Sequence, residues 1–255
     1  MTSNFFQNIM RWNTERNGTK GPLPYFYYDN LSLAAVFTAS TSKVRKLIPL
    51  PDLLPIELTP GRCLVAFAAF EYRKTEDDPY NEFSISFLVS YPKRPFPLIT
   101  ITKALISNVI PSYVWQLPVT TETARAGGVN LFGYPKFIAD IQFNKGKEQI
   151  ICSLSASGSD ILRMSGRVLP TKQGKVMRYV NYTIIDGILL SVNILVNPLE
   201  FAHSSRREDL ALEVGKEHPI CQTLHEIELS KHPMTYQFSP RNEMILCPGH
   251  NVWDV

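Results

Sequence analysis

The chain has 255 residues, of which 44% are hydrophobic and 19% charged, and a formal net charge of +3. That composition supplies a sizeable core and excludes a disordered chain. Lys and Arg are scattered along it, which excludes the concentrated basic footprint of a nucleic-acid binder.

Residues 1–22 are polar and end in Gly-Thr-Lys-Gly-Pro, so an N-terminal arm or a short helix with a loop is expected. The first residues show no basic-then-apolar secretory pattern. From Tyr25 onward the chain reads as mainly β. Leu31 to Thr38 is a strand candidate, and Ser42 to Ile48 a short helix capped by Thr41 or Ser42. Pro49, Pro51 and Pro55 force a loop. Cys63 to Tyr72 is a nearly continuous apolar run that fits a strand buried on both faces. Phe83, Ile85, Phe87, Val89 and Tyr91 alternate with polar residues, the period of a strand with one packed face. Further strands are expected at 98–105, 114–119, 137–143, 150–157, 162–168, 177–185 and 189–196. Thr121 to Ala126 reads as a short helix stopped by Gly127, and Pro219 to Leu224 as another with proline in its first turn.

About ten strands with few helices point to a closed or strongly curled, mainly antiparallel sheet, which leaves few unpaired edges. The stretch 188–196 is interrupted by Ser191 and Asn193 and is too short to span a bilayer. No repeat or long linker divides the chain, so 1–255 reads as a single domain in the cytoplasm, without membrane or nucleic-acid partners.

Motifs for chemistry are sparse. Cys63, Cys152, Cys221 and Cys247 form no CxxC pair and read as buried thiols. His218, Cys221 and His225 would share a helical face, but a fourth ligand is missing and packing is the preferred reading. The serines at 153, 155, 157 and 159 are an outward strand face, and no G-x-S-x-G elbow or phosphate-cradling glycine loop occurs. Among the acidic residues 71, 76, 77, 78 and 82, Glu82 stands apart. It follows Tyr80 at the start of an amphipathic strand and is a candidate functional carboxylate.

The order of several short motifs resembles the acetoacetate decarboxylase family. They are the Val-Arg-Lys-Leu-Ile-Pro end of 31–49, Leu64-Val-Ala-Phe67, Tyr80-Asn-Glu82, Gly133-Tyr-Pro-Lys136, and His218-Pro219 through Leu229. The likeness covers roughly residues 23 to 248. It implies an α+β fold, mainly antiparallel: a cone-shaped β-barrel with a flanking sheet and a few short helices. It also implies a homo-oligomer and a small-molecule substrate, a 3-oxo acid that loses CO₂ through an imine on a lysine.

Carried over residue by residue, the family's Tyr-x-Glu carboxylate falls on Glu82. A second active-site glutamate falls on Ala68 and an N-terminal arginine on Asn30. Counted back from Gly-Tyr-Pro-Lys, the reactive lysine falls on Asn130 and its lysine neighbour on Leu131. Counted forward from Glu122, it falls on Gly128. Neither register gives a lysine. Lys136, the nearest amine, matches a family lysine that is not the nucleophile. The expectation is therefore a carbon–carbon lyase-type enzyme acting on a 3-oxo acid or related carbonyl compound without a lysine Schiff base. Glu82 and Lys136 are its candidate catalytic groups, and Asn130, Arg125, Tyr80, Asn30 and Ala68 its candidate substrate contacts. No cofactor or metal is expected. The alternative is a non-catalytic protein that holds an apolar or carboxylate-bearing ligand.

Overall fold

Asn-Gly, Ser-Gly and Asp-Gly pairs punctuate the chain, and each marks a tight reversal between strands. Asn17-Gly18, Ser157-Gly158 and Asp186-Gly187 all have φ between 50° and 79°, the left-handed pair that matches strand twist in two-residue hairpins. The computed structural model describes residues 4–91 and 109–253.

The first of these reversals turns the N-terminal arm into a hairpin, β1 (Trp12–Arg16) and β2 (Thr19–Leu23). The short helix expected in this arm is present as one 3-10 turn at Asn4–Phe6, whereas the expected loop is corrected to a hairpin: Asn17-Gly18 closes a five-pair ladder. The chain continues as β3 (Tyr25–Ser40), α1 (Thr41–Arg45), β4 (Leu54–Pro55), β5 (Glu57–Thr59), β6 (Arg62–Thr75), β7 (Tyr80–Ser90) and β8 (Val109–Gln116). Then follow α2 (Glu122–Phe132), β9 (Asp140–Lys145), β10 (Gln149–Ala156), β11 (Ser159–Arg167), β12 (Met177–Ile185) and β13 (Ile188–Ser204). β14 (Leu210–Val214), α3 (Pro219–Glu226) and β15 (Thr235–Asn251) complete it. The strand expected at 98–105 lies outside the described residues.

Strands β6, β7, β8, β12, β13, β15 and β3 pair in that order, and β3 pairs with β6 to close a barrel. Every pairing in it is antiparallel except β8 with β12. Closure removes the free edges that an open sheet of this size would present. A second sheet, β14-β11-β10-β9, packs against the barrel's outer face.

The two faces of the barrel strands bury different material. On β6, Cys63, Val65, Phe67 and Ala69 join Phe37, Phe87, Leu154, Ile161 and Met164 in the main core between the sheets. Burying each such side chain contributes roughly 1.5–3 kcal/mol, and Phe67→Ala would cost about 3–5 kcal/mol. The opposite face of β6 carries Ala66, Ala68 and Phe70, which are only half-buried. The strand is therefore not buried on both faces along its length: its second face looks into the barrel. There a second cluster gathers Tyr27, Tyr72, Tyr80, Val114, Val119, Phe132, Tyr134, Val192 and Met244. This inner cluster positions the candidate site.

Candidate active site

The site begins with the N-cap of α2. Thr121 Oγ1 accepts a hydrogen bond from the Ala124 amide at 3.3 Å, which satisfies one free helix donor. The helix does not stop at Gly127 as its sequence suggests. It runs through Gly127 and Gly128 to Phe132 and ends at Gly133, with φ 66°. Each interior glycine costs a helix about 1 kcal/mol relative to alanine, and packing of one helix face against the barrel offsets that. Gly133 is required twice over. Its backbone is left-handed, and a Cβ there would overlap the Ile184 carbonyl oxygen. The Phe132 carbonyl at the helix end accepts from Thr183 Oγ1 at 2.6 Å.

Beyond Gly133 the chain doubles back, and Lys136 runs its aliphatic stem over Gly128. A Cβ on Gly128 would collide with Cδ and Cε of Lys136. The amine reaches the barrel interior, where Nζ lies 2.7 Å from Glu82 Oε2. The two side chains are only 6% and 9% exposed, so this is a buried ion pair rather than a surface one. Tyr72 OH donates to the other carboxylate oxygen, Oε1, at 3.0 Å. Nζ also stands 5.5 Å from the centre of the Tyr80 ring, within cation–π range.

Tyrosines close around the pair. Tyr27 and Tyr80 share a hydroxyl hydrogen bond of 3.2 Å, and Tyr72 packs on both rings with centroid distances of 4.4 and 4.7 Å. Burial pushes the phenols of Tyr27, Tyr72 and Tyr80 far above their ordinary range, and the nearby Glu82 charge raises them further. Burial raises Tyr134 as well, opposed by the hydrogen bond from Asn181. All four stay neutral phenols.

The Lys136 side chain forms part of the wall of a cavity of about 110 Å³. Its other walls are the hairpin residues Thr19–Leu23, Tyr25, Tyr27, Tyr80, Tyr134 and Leu246, and one face of α2. That face presents Ala124, Gly127, Gly128 and Leu131, the spacing of a single helical stripe. Lys20, Asp77 and Asp78 supply the remaining charges. Lys20 is 72% exposed and pairs with Glu15, so it marks the mouth and Lys136 the inner end.

The residues singled out in sequence fare unequally. Glu82, Lys136 and Tyr80 come together. Asn130 is not part of the cavity wall and donates to Thr19 Oγ1 at 2.7 Å, tying α2 to the hairpin. Arg125 lies at the surface in a pair with Glu122 one turn earlier. Asn30 is fully buried among backbone and side-chain partners on β15, donating to the Asn242 carbonyl. Ala68 stands opposite Ser84 on the inner face of the barrel, away from the cavity wall. The Asn130 and Gly128 positions both lie apart from the buried carboxylate. Neither position brings a side chain to the Glu82 carboxylate, whereas Lys136 brings an amine there.

Sequence reading missed Tyr72, Tyr27 and Gly127. Tyr72 could have been found, because it faces Tyr80 two residues before Glu82 in an alternating antiparallel pair. His218, Cys221 and His225 each serve the backbone. His218 Nδ1 caps α3, accepting from Ile220 N; Cys221 Sγ donates to the Ile161 carbonyl; and the His225 ring bonds Gly215 O. Among the described residues no cluster of three His, Cys, Asp or Glu could hold a metal ion. Nor is any helix among them long and apolar enough to cross a membrane.

The chain shares its fold with several solved structures. An acetoacetate decarboxylase matches at 16% identity and TM-score 0.64, over 90% of this chain and 89% of the other. The acetoacetate decarboxylase from Legionella pneumophila matches at 14% identity and TM-score 0.64, over 97% and 93%. The enduracididine biosynthesis enzyme MppR, solved with the condensation product of pyruvate and imidazole 4-carboxaldehyde, matches at 13% identity and TM-score 0.64, over 89% of each chain. No curated protein matches the chain in sequence. The family model for acetoacetate decarboxylase matches residues 14–187, more than half of the chain, from within β1 through β12. The chain belongs to the acetoacetate decarboxylase family.

Proposed function

We propose that this protein is a carbon–carbon lyase-type enzyme that binds a small 3-oxo acid or related carbonyl compound as an imine on Lys136. The observation that carries the reading is the buried contact between Lys136 Nζ and Glu82 Oε2, 2.7 Å, on a lysine whose side chain lines the cavity. It replaces the expectation of chemistry without a Schiff base, which came from counting residues to Asn130 and Gly128.

The chemistry follows from the geometry. A proton passed from Nζ to Glu82 leaves a free amine and a neutral acid. The amine lone pair attacks the carbonyl carbon, and Glu82 returns the proton as the carbonyl oxygen leaves as water. The resulting iminium withdraws the electron pair of the neighbouring carbon–carboxylate bond, releasing CO₂ and leaving an enamine. Protonation of the enamine carbon, then attack of water on the imine, frees the ketone and restores the amine. Tyr72 holds the carboxylate in place, and the burial of the Lys136 and Glu82 side chains keeps bulk water from the iminium. The size of the space fits small substrates, since a dry apolar cavity of roughly 150 Å³ holds a benzene molecule.

The test is incubation with acetoacetate, then sodium borohydride, then peptide mapping by mass spectrometry. A reduced adduct on Lys136, with acetone formed from acetoacetate or a close homologue, supports the reading. An unmodified Lys136 with every 3-oxo acid and with pyruvate sinks it.

A second reading rests on a different detail. Both carboxylate oxygens of Glu82 are already engaged, by Lys136 and Tyr72, as in a purely structural ion pair lining a ligand-binding cavity. Glu82→Gln separates the two readings. A large fall in turnover favours catalysis, whereas a change in affinity alone favours binding.

A further inference from the structure

The geometry points to Gly127 as the residue that sets how large a group the substrate carries on its carbonyl. This inference rests on reading the cavity as the substrate site. Two adjacent glycines inside a helix are unfavourable, and each needs a reason. Gly128 has one, because a side chain there would occupy the space of the Lys136 stem. Gly127 has none among the described residues. A Cβ built on it meets no described atom within 4 Å, its backbone is ordinary helix inside α2, and no left-handed φ calls for glycine.

What Gly127 does face is the cavity, on the same helical stripe as Ala124 and Leu131. An open direction at a position that gains nothing structural from lacking a side chain is explained by an occupant that is not protein. Lys136 fixes the carbonyl carbon at the inner end. The arm of the substrate beyond it then lies against the helix at 127, in a cavity that Leu23, Tyr27, Ala124 and Leu131 also line. That lining is apolar and aromatic, and the other charges, Lys20, Asp77 and Asp78, belong to exposed residues. The arm is therefore a short uncharged alkyl group, and glycine at 127 admits a longer one than alanine would.

The experiment measures binding of 2-butanone, 2-pentanone, 2-hexanone and 2-heptanone by ligand-observed NMR to the wild type, Gly127→Ala and Gly127→Val. Borohydride trapping of the same ketones on Lys136 runs in parallel, and thermal melting checks the fold. The expected result is a length cut-off that moves to shorter ketones in the order Gly, Ala, Val. Affinity for the longest ketone the wild type binds falls by roughly ten-fold or more per step, while Gly127→Ala melts higher than the wild type. Unchanged affinities in a folded Gly127→Val protein overturn the inference, as does a wild type that binds none of the ketones. A cut-off that moves while no adduct forms on Lys136 keeps Gly127 as the size-setting residue and removes the imine reading instead.

Discussion

The stem of Lys136 lies where a side chain on Gly128 would stand, so the position of the buried amine depends on a hydrogen atom eight residues earlier in the chain. Glycine to alanine in a helix interior ordinarily stabilises by about 1 kcal/mol. At position 128 the sign should reverse. Gly128→Ala must push the Lys136 stem aside or shift α2 off the barrel, an overpacking cost of roughly 1–3 kcal/mol. It should also carry Nζ away from Glu82 and abolish trapping by borohydride. Urea unfolding and adduct mapping check both. A stabilised Gly128→Ala protein with normal trapping contradicts the packing described.

The ion pair itself gives a second prediction. Lys136→Met leaves the Glu82 carboxylate buried without its cation, which costs about 3–5 kcal/mol in such pairs. The double variant Lys136→Met/Glu82→Gln removes the charge and keeps a group that can accept the Tyr72 hydroxyl. It should recover most of the lost stability while remaining inactive. Equal destabilisation of the single and double variants would show that the charge is not the cause.

Much of this architecture is legible in the sequence, and the exceptions have physical causes. The strand expected at 177–185 is observed with the same span, Met177–Ile185, and the turn at Asp186-Gly187 closes it. β15 escapes because Pro240, Pro248 and Gly249 interrupt it. Its ladder to β3 shifts register between Ser239 and Asn242, a bulge that accommodates a residue unable to donate. α2 is cut short in sequence because a Gly-Gly pair is a stop signal locally, whereas packing against the barrel carries the helix through it. Lys136 is a candidate in sequence, but its place beside α2 is hidden there for a related reason. Counting along the chain assigns the reactive position to the helix, and only the left-handed turn at Gly133 sends Lys136 back over the same helix face. Separation in sequence and separation in space part company there.

Asn130 supplies a third prediction, opposite to its reading from sequence. Its amide donates to Thr19 and does not reach the cavity. Asn130→Ala should cost about 1 kcal/mol, the net value of one such hydrogen bond. It should leave acetoacetate trapping on Lys136 intact. Loss of the adduct in a folded Asn130→Ala protein would instead tie the hairpin's anchorage to the chemistry.

The tyrosine cluster makes stability pH-dependent on the alkaline side. Tyr27, Tyr72 and Tyr80 are held above their ordinary value of 10.0, first by burial and then by neighbouring groups that include Glu82. A raised phenol binds its proton more tightly in the folded state than in the unfolded one. The unfolded state therefore binds fewer protons once pH passes 10, and stability falls with rising pH from there. Below that value the contribution is fully present and flat. Absorbance at 295 nm should show the exposed tyrosines ionising first. The cluster should ionise only together with loss of near-ultraviolet circular dichroism. Tyr72→Phe removes one of these phenols and should flatten the alkaline fall. It also removes the hydrogen bond to Glu82, worth roughly 1.5–3 kcal/mol for a charged acceptor. A cluster that titrates near 10 while the fold persists would show that its hydroxyls reach solvent.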